Sequence, residues 1–487
     1  MAVPVEAFRL DPAATGTLQR QVQQLVMDGI LSGRFRPGDR LPSSRVLARH
    51  LGLSRITVTL AYADLVAGDY LSAKGRSGYY VAADAPRPDT FPRPAPAPAP
   101  ASRVDWSRRL GQRYPAMAGL ARPEDWRRYR YPFIYGQTDA RLFDHSNWRR
   151  CALEALGTRD FTPLTADTYG QDDPLLVDEI MRRILPRRGI DAHADEVLIT
   201  MGAQNALWLV TQILLSQRRR AVMEEPCYPP LREILNLSRC TATAIPVDGH
   251  GLPPDAIPPH TDVVFVTPSH HCPTAVTMPT ERRRALLARA EADDFLIVED
   301  DYEFELAFVG GPSPALKSLD RTGRVAYIGS FAKSLFPGLR LGYLVAPPPL
   351  VREARALRAL ILRHVPGHIQ RATAYFLQRG HYDTQVARIA RTYAARRDAA
   401  LAAMQAHDLR PERDNTFGGS SFWMRAPDGV PGRALAARLR ARDVLIEPAD
   451  AFFGPGRARP FYRLAYSSIA ADDIPEGVAR IARAAAA

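Results

Sequence analysis

An amine that must lose its proton and attack an aldehyde has to come from lysine, because the arginine guanidinium stays protonated. The chain has 64 Lys plus Arg, yet only Lys74, Lys317 and Lys333 are lysine. Lys333 sits in "VAYIGSFAKSLFPGLRLGYLV" (325–345): a short apolar run, a Gly-Ser turn, the lysine, a Pro-Gly break with an arginine, and a second apolar run. By composition alone Lys333 reads equally as an ordinary surface lysine. Its neighbours point further. Ser330 and Arg340 bracket it and can give charge-assisted hydrogen bonds to a phosphate. Gly202-Ala203-Gln204-Asn205 follows the apolar run "EVLIT" and opens a helix, whose first amides suit the same anion. A plain strand-to-helix turn has the same letters. Asp300 ends "FLIVE" inside a Glu-Asp-Asp-Tyr cluster, which reads either as an acid aimed into a site or as a solvated turn.

These residues need a scaffold that brings them together. From about residue 130 short apolar runs alternate with helix-length stretches: 196–200, 221–226, 241–247, 262–268, 295–301 and 325–345. Continuous rather than alternating apolar strands predict a mostly parallel sheet covered on both faces, with ligands beyond the carboxyl ends of its strands. At 487 residues the chain is too long for one ordinary domain. Without a long apolar run or a signal pattern, it reads as a soluble intracellular protein. The four cysteines have neither metal-ligand nor disulfide spacing. The formal charge of +12 fits a polyanion partner without requiring one.

The first eighty residues are organised differently. Residues 17–32 put Leu18, Val22, Leu25, Val26 and Ile30 on one helical face, which Gly33 ends. Ser43 or Ser44 caps a short helix broken by Gly52, and Ser54 caps "RITVTLAYADLVAG". This is a helix-turn-helix, followed by two short strand-like runs around the basic tip Lys74-Gly75-Arg76-Ser77-Gly78. On the second helix Ser54, Arg55, Thr57 and Thr59 are expected to face outward, and Ile56, Leu60 and Leu65 to face the first helix. Arg55 suits a base edge or the backbone, Arg45 and Lys74 suit phosphates. Residues 1–83 hold ten Lys or Arg against six Asp or Glu. A small helical protein-interaction module is the competing reading. Seven prolines among residues 84–100 then predict an extended linker of roughly 50 Å.

"RFRPGDRLPSSRVLARHLGLSRITVTLAYADLVAGDYL" resembles the winged-helix reader of the GntR superfamily of bacterial transcription factors over residues 12–82, with "GDY" replacing the usual Glu-Gly-Tyr type of step. Residues 130–480 resemble the fold-type I aminotransferases, after a Pro-rich linker and lead-in at 83–129. The resemblance implies an N-terminal winged helix-turn-helix and a large α/β pyridoxal-phosphate-dependent transferase-like domain with a smaller C-terminal α+β part. It also implies roles: Lys333 as the Schiff-base lysine, Asp300 on the pyridine nitrogen, and Tyr302 on the ring's 3′ oxygen. Ser330, Arg340, Ala203 and Gln204 match phosphate ligands. Tyr228 matches the aromatic that covers the ring, and Arg463 the arginine that clamps a ligand's acid group. A domain-interface arginine paired to a carboxylate is the alternative for Arg463.

The two parts in one chain resemble the MocR branch, whose members use the aminotransferase-like domain as a sensor. This implies pyridoxal 5′-phosphate, double-stranded operator DNA, a small amine bound as an external aldimine, and a cytoplasmic, head-to-tail homodimer. His271, Cys272 and Ala275 stand where the branch more often has Gln, Phe and Gly, and Ala332 where serine is usual. The segment 169–190 also replaces the commoner Gly-Asp-Pro-x-Gly-Tyr pattern. These variants are similar to the subgroup regulating taurine or ectoine catabolism. A working aminotransferase with an appended DNA-binding domain is the other function these residues allow; the winged helix favours regulation.

Overall fold

The computed structural model describes residues 2–486 except 12–15, 87–103, 112–113, 115–122, 124, 138, 311–312, 414–417, 455 and 457–458. Most of the proline-rich linker therefore lies outside the described residues. The chain forms two compact units, residues 1–114 and 115–487.

The N-terminal unit is built on three helices, α1 (Leu18–Leu31), α2 (Ser44–Leu51) and α3 (Arg55–Ala67). Each starts at a hydroxyl cap: Thr17, Ser43 and Ser54 accept from the N–H three residues on. Gly52 ends α2 at φ 67, in the left-handed region where glycine carries no Cβ penalty. Strands β1 (Leu71–Ala73) and β2 (Tyr79–Val81) pair antiparallel and carry the basic tip between them. Val22, Val26 and Ile30 of α1 are buried as expected, while Leu18 is exposed. Residues 2–8 join this core, with Phe8 buried against Phe35 and the Val3 N–H donating to the Arg40 carbonyl.

One sequence expectation fails on α3. Ile56 and Leu60 do not face α1; they are 72% and 49% exposed. The buried set is Val58, Ala61, Tyr62 and Leu65, at i, i+3, i+4 and i+7, which defines a single helical stripe. Residues 56 and 60 lie off that stripe, and only Leu65 of the expected trio points inward.

The large unit contains β3 (Tyr131–Pro132) and then seven strands of one sheet: β4 (Val197–Thr200), β5 (Arg220–Glu225), β6 (Thr241–Pro246), β7 (Val263–Val266), β8 (Leu296–Asp301), β9 (Val325–Ser330) and β10 (Gly342–Val345). Their spatial order is β4-β10-β9-β8-β7-β5-β6. Only β10 runs against its neighbours, between β9 and β4. Every residue of β4, β7, β9 and β10 is buried, as sheet covered on both faces requires. The C-terminal part adds β11 (Ser421–Arg425), β12 (Val444–Leu445), β13 (Glu447–Pro448) and β14 (Phe461–Ala465). β11, β14 and β13 form a small antiparallel sheet backed by helices Gly432–Arg440 and Ile474–Ala485.

Candidate functional site

Strand alternation explains why three successive acids at the end of β8 do different things. Glu299 and Asp301 share one face, where Glu299 accepts through both oxygens and Asp301 through Oδ2 alone. Glu299 accepts from the Leu316 and Lys317 N–H groups, each at 2.8 Å. Asp301 binds the Arg188 Nε at 2.7 Å and the Tyr327 hydroxyl at 2.9 Å. Asp300 points the other way, into a cavity it shares with Tyr228, Thr267 and Cys272. It is buried, and among the described residues its Oδ1 has no hydrogen-bond partner. The solvated-turn reading is therefore wrong for all three acids. Burial, aided by the Asp301 charge and opposed by Lys333, pushes the Asp300 carboxyl up to about 7.

That shift has a testable sign. The unfolded chain ionises Asp300 near 3.8, whereas the ligand-free fold keeps its proton to about 7. The penalty on the native state thus grows as pH rises from about 4 to about 7 and is flat above. Asp300→Asn should raise the denaturant midpoint of ligand-free protein, by an amount equivalent to about 4 kcal/mol at pH 8 and about 1 kcal/mol at pH 4.5. Equal gains at both pH values would refute the assignment of burial as the cause.

Lys333 follows β9, half-buried, with Nζ 4.0 Å from the centre of the Tyr135 ring. The Arg463 guanidinium carbon lies 3.8 Å from the centre of the same ring and 4.8 Å from that of Phe452. Arg463 comes from β14, opposite Glu447 of β13. Its Nε and Nη2 both reach Glu447 Oε2, at 2.8 and 2.7 Å. Burial opposes the arginine's charge, but the carboxylate more than restores it and leaves the group firmly protonated. Tyr302 lies half-buried beside His270, ring centres 6.2 Å apart.

The remaining candidates converge at the β4–β10–β9 edge. Gly202, with φ 82, caps helix Ala203–Leu214. A Cβ on Gly202 would come within 3.3 Å of the Arg340 guanidinium, whose Nη2 donates to the Met201 carbonyl at 3.1 Å. Gly342 of β10 is opposite both Thr200 and Ser330. A Cβ on it would lie 3.0 Å from Gly202 backbone, so no larger residue permits this closeness. Ser330 is buried and accepts from the Ala332 N–H at 3.2 Å. Gln204 is tied to Tyr228, whose hydroxyl donates to it at 3.4 Å.

This arrangement has known counterparts. Residues 153–481 match the model for aminotransferase class I and II, and residues 18–81 the model for bacterial regulatory proteins of the gntR family. Over 78% of its length the chain superposes on Pyrococcus horikoshii kynurenine aminotransferase, covering 98% of that chain with a TM-score of 0.68 and 25% identity. A multiple substrate aminotransferase from Thermococcus profundus gives the same TM-score at 26% identity. Whole-length relatives decide the family. The HTH-type transcriptional regulator TauR of Rhodobacter capsulatus is 58% identical over 99% of this chain and 100% of its own. The probable rhizopine catabolism regulatory protein MocR of Rhizobium meliloti is 32% identical over 88% and 83%. The chain belongs to the MocR branch of the GntR family. These are pyridoxal-phosphate-binding transcriptional regulators, dimeric and operator-binding, and the chain's kinship assigns it a regulatory rather than catalytic role. No helix among the described residues is long and apolar enough to cross a membrane.

In this MocR-branch chain the reader residues divide by exposure. Arg45, Arg55 and Lys74 are exposed, Lys74 with its Nζ 5.0 Å from the centre of the Tyr80 ring. Ser54 and Thr57 are spent partly on each other: the Ser54 Oγ accepts the Thr57 N–H at 3.1 Å and meets the Thr57 hydroxyl at 2.8 Å. Thr59 is half-buried. The Arg76 side chain lies outside the described residues, although its backbone is in the turn Gly75–Ser77. Among the departures from the branch pattern, Ala275 has φ 62, the left-handed value that suits the usual glycine. His271 is buried, with Nδ1 2.6 Å from the Thr274 hydroxyl. Cys272 lines the Asp300 cavity.

Three participants escape the sequence reading. Tyr135 carries only a weak signal, a Tyr-Gly turn closing an aromatic run. Glu447 carries none. Glu303 adjoins a recognised cluster, but only the fold shows the Ser420 hydroxyl donating to it at 2.6 Å and His270 Nε2 at 3.1 Å from its other oxygen.

Proposed function

We propose that this regulator senses a small zwitterion, an amine with an acid group a few atoms away, at a pyridoxal phosphate site formed by Lys333, Asp300, Tyr302, Tyr228, Ser330, Arg340 and the Ala203–Gln204 amides. The observation that supports it best is the placement of the Lys333 amine and the Arg463 guanidinium against one ring, that of Tyr135, which keeps an amine and an acid-binding group near each other. The Asp300 Oδ1, without a hydrogen-bond partner among the described residues, supports a ligand with a protonated ring nitrogen, and the Gly202 cradle beside Arg340 supports a phosphate. When bound, the cofactor supplies an aldehyde carbon to which amines add reversibly. Lys333 holds that position in the resting protein, and Asp300 holds the ring nitrogen's proton. Arg463 orients the acid group: its guanidinium has five N–H donors and Glu447 engages two. Taurine or an ectoine-derived diamino acid has this chemistry. An amine screen on the loaded protein, read by cofactor absorbance with and without operator, tests it. Failure of every small amino acid and aminosulfonate to shift the spectrum would refute it.

The subunits are proposed to pair head to tail, each dimer presenting two readers to two half-sites. Arg55 at the start of α3 is assigned a base or backbone contact, and Arg45 and Lys74 phosphate contacts. Lys74→Ala should weaken binding about uniformly across sequences and lower the log–log salt slope by about one, while Arg55→Ala should weaken the preferred site most. Fluorescence anisotropy titrations at several salt concentrations read both. Unchanged affinity in both variants would exclude this surface.

A further inference from the structure

The stripe that α3 turns to solvent is apolar. Ile56, Leu60, Ala63 and Ala67, at i, i+4, i+7 and i+11, are all exposed, the first two being large side chains in water. The helix has two charged residues. Arg55 adjoins Ile56, and Asp64 is drawn towards α1, where the Gln19 and Gln23 side-chain amides donate to it at 2.7 and 2.6 Å. The carboxylate is thereby held off the outward stripe, which is left with a guanidinium, a helix N-terminus and two aliphatic anchors. This face does not repel a polyanion, and it belongs to a unit with an excess of basic residues. What an aliphatic side chain can read in a major groove is the 5-methyl of thymine.

We propose that Ile56 and Leu60 are sequence-reading residues that contact thymine methyl groups in the operator. Four residues apart on a helix, they are about 6 Å apart along its axis, so their targets are about two base-pair steps apart when the helix follows the groove. Arg55 anchors the backbone or a base edge and Lys74 a phosphate, and the aliphatic pair adds discrimination that costs no buried charge. The inference rests on the operator-binding reading and specifies which base feature is read.

The test uses the full-length protein and a duplex selected by it from a random pool. Each thymine in turn is replaced by deoxyuridine, which removes only the methyl group. The wild type should lose about three- to fivefold in affinity at one or two thymines per half-site, the worth of one buried methyl. Ile56→Ala should lose that sensitivity at one position and Leu60→Ala at the other, with the remaining thymines behaving as in wild type. Both side chains are exposed, so the variants should keep the wild-type melting temperature. Wild-type affinity indifferent to every methyl would overturn the proposal. So would an Ile56→Ala or Leu60→Ala protein as methyl-sensitive as wild type, or one altered in oligomeric state but not in methyl sensitivity. Selection of no duplex at all would instead overturn the operator-binding reading.

Discussion

Borohydride treatment of the cofactor-loaded protein should fix pyridoxal phosphate to a single peptide, the one containing Lys333, and Lys333→Ala should abolish that adduct. Reduction converts a reversible carbon–nitrogen link into a stable amine, so the mapped site reports which lysine attacked the aldehyde. The chain has few competitors. Lys317 sits in the short helix Leu316–Leu319, on the Glu299 side of β8, opposite to the face that carries Asp300. Lys74 belongs to the other compact unit. Loss of Lys333 should cost little stability, because its contact with Tyr135 is worth about 0.5–2 kcal/mol. A variant that still melts cooperatively but no longer holds cofactor through borohydride treatment and gel filtration is the expected result. An adduct mapped to Lys317 would dismantle the site.

Arg463→Ala should leave the resting cofactor spectrum in place and weaken the amine-induced change by about a hundredfold. Truncating one partner of a buried charged contact costs about 2–5 kcal/mol, and the ligand's acid group has no other buried arginine assigned to it. The same substitution strands Glu447 and lowers stability by about 3–5 kcal/mol, so it needs a companion. Glu447→Gln leaves the guanidinium in place and removes only its anionic partner. If Arg463 serves the ligand, Glu447→Gln should keep the spectral response. If the arginine is only an interface residue paired to a carboxylate, Arg463→Ala should respond to amines as wild type does once its lower stability is allowed for. Product formation belongs in the same experiment: multiple turnovers at about 1 s⁻¹ or faster would be those of a working aminotransferase.

The legible parts of this chain were those with a period or a cap. The strands announced themselves as continuous apolar runs, and hydroxyl caps and Gly52 marked α2 and α3. The Asp300 face was ambiguous because period-two alternation does not say which of two faces meets a cavity. Ile56 and Leu60 were misplaced for a related reason. In a helix so rich in apolar residues, several stripes satisfy a 3.6-residue period, and packing against α1 chose Val58, Ala61, Tyr62 and Leu65. Tyr135 and Glu447 lie far from Lys333 in sequence and owe their place to the C-terminal sheet folding over the strand ends. No local pattern encodes such a meeting.

The position of β10 also governs the order in which the chain can be completed. Strands β5 to β8, with β9, pair with near neighbours in sequence and can assemble while the ribosome is still adding residues. Among the described residues β4 pairs in the sheet with β10 alone, which emerges much later. Until then an early apolar strand and the glycine loop behind it wait unpaired, an exposed edge of the kind that invites misassociation. The meeting of Gly202 with Ser330 and Arg340, the cradle proposed for a phosphate, thus waits on a strand encoded far downstream of Gly202. A nascent chain stalled before residue 342 would hold every other strand of the large sheet but lack the one that joins β4 to β9.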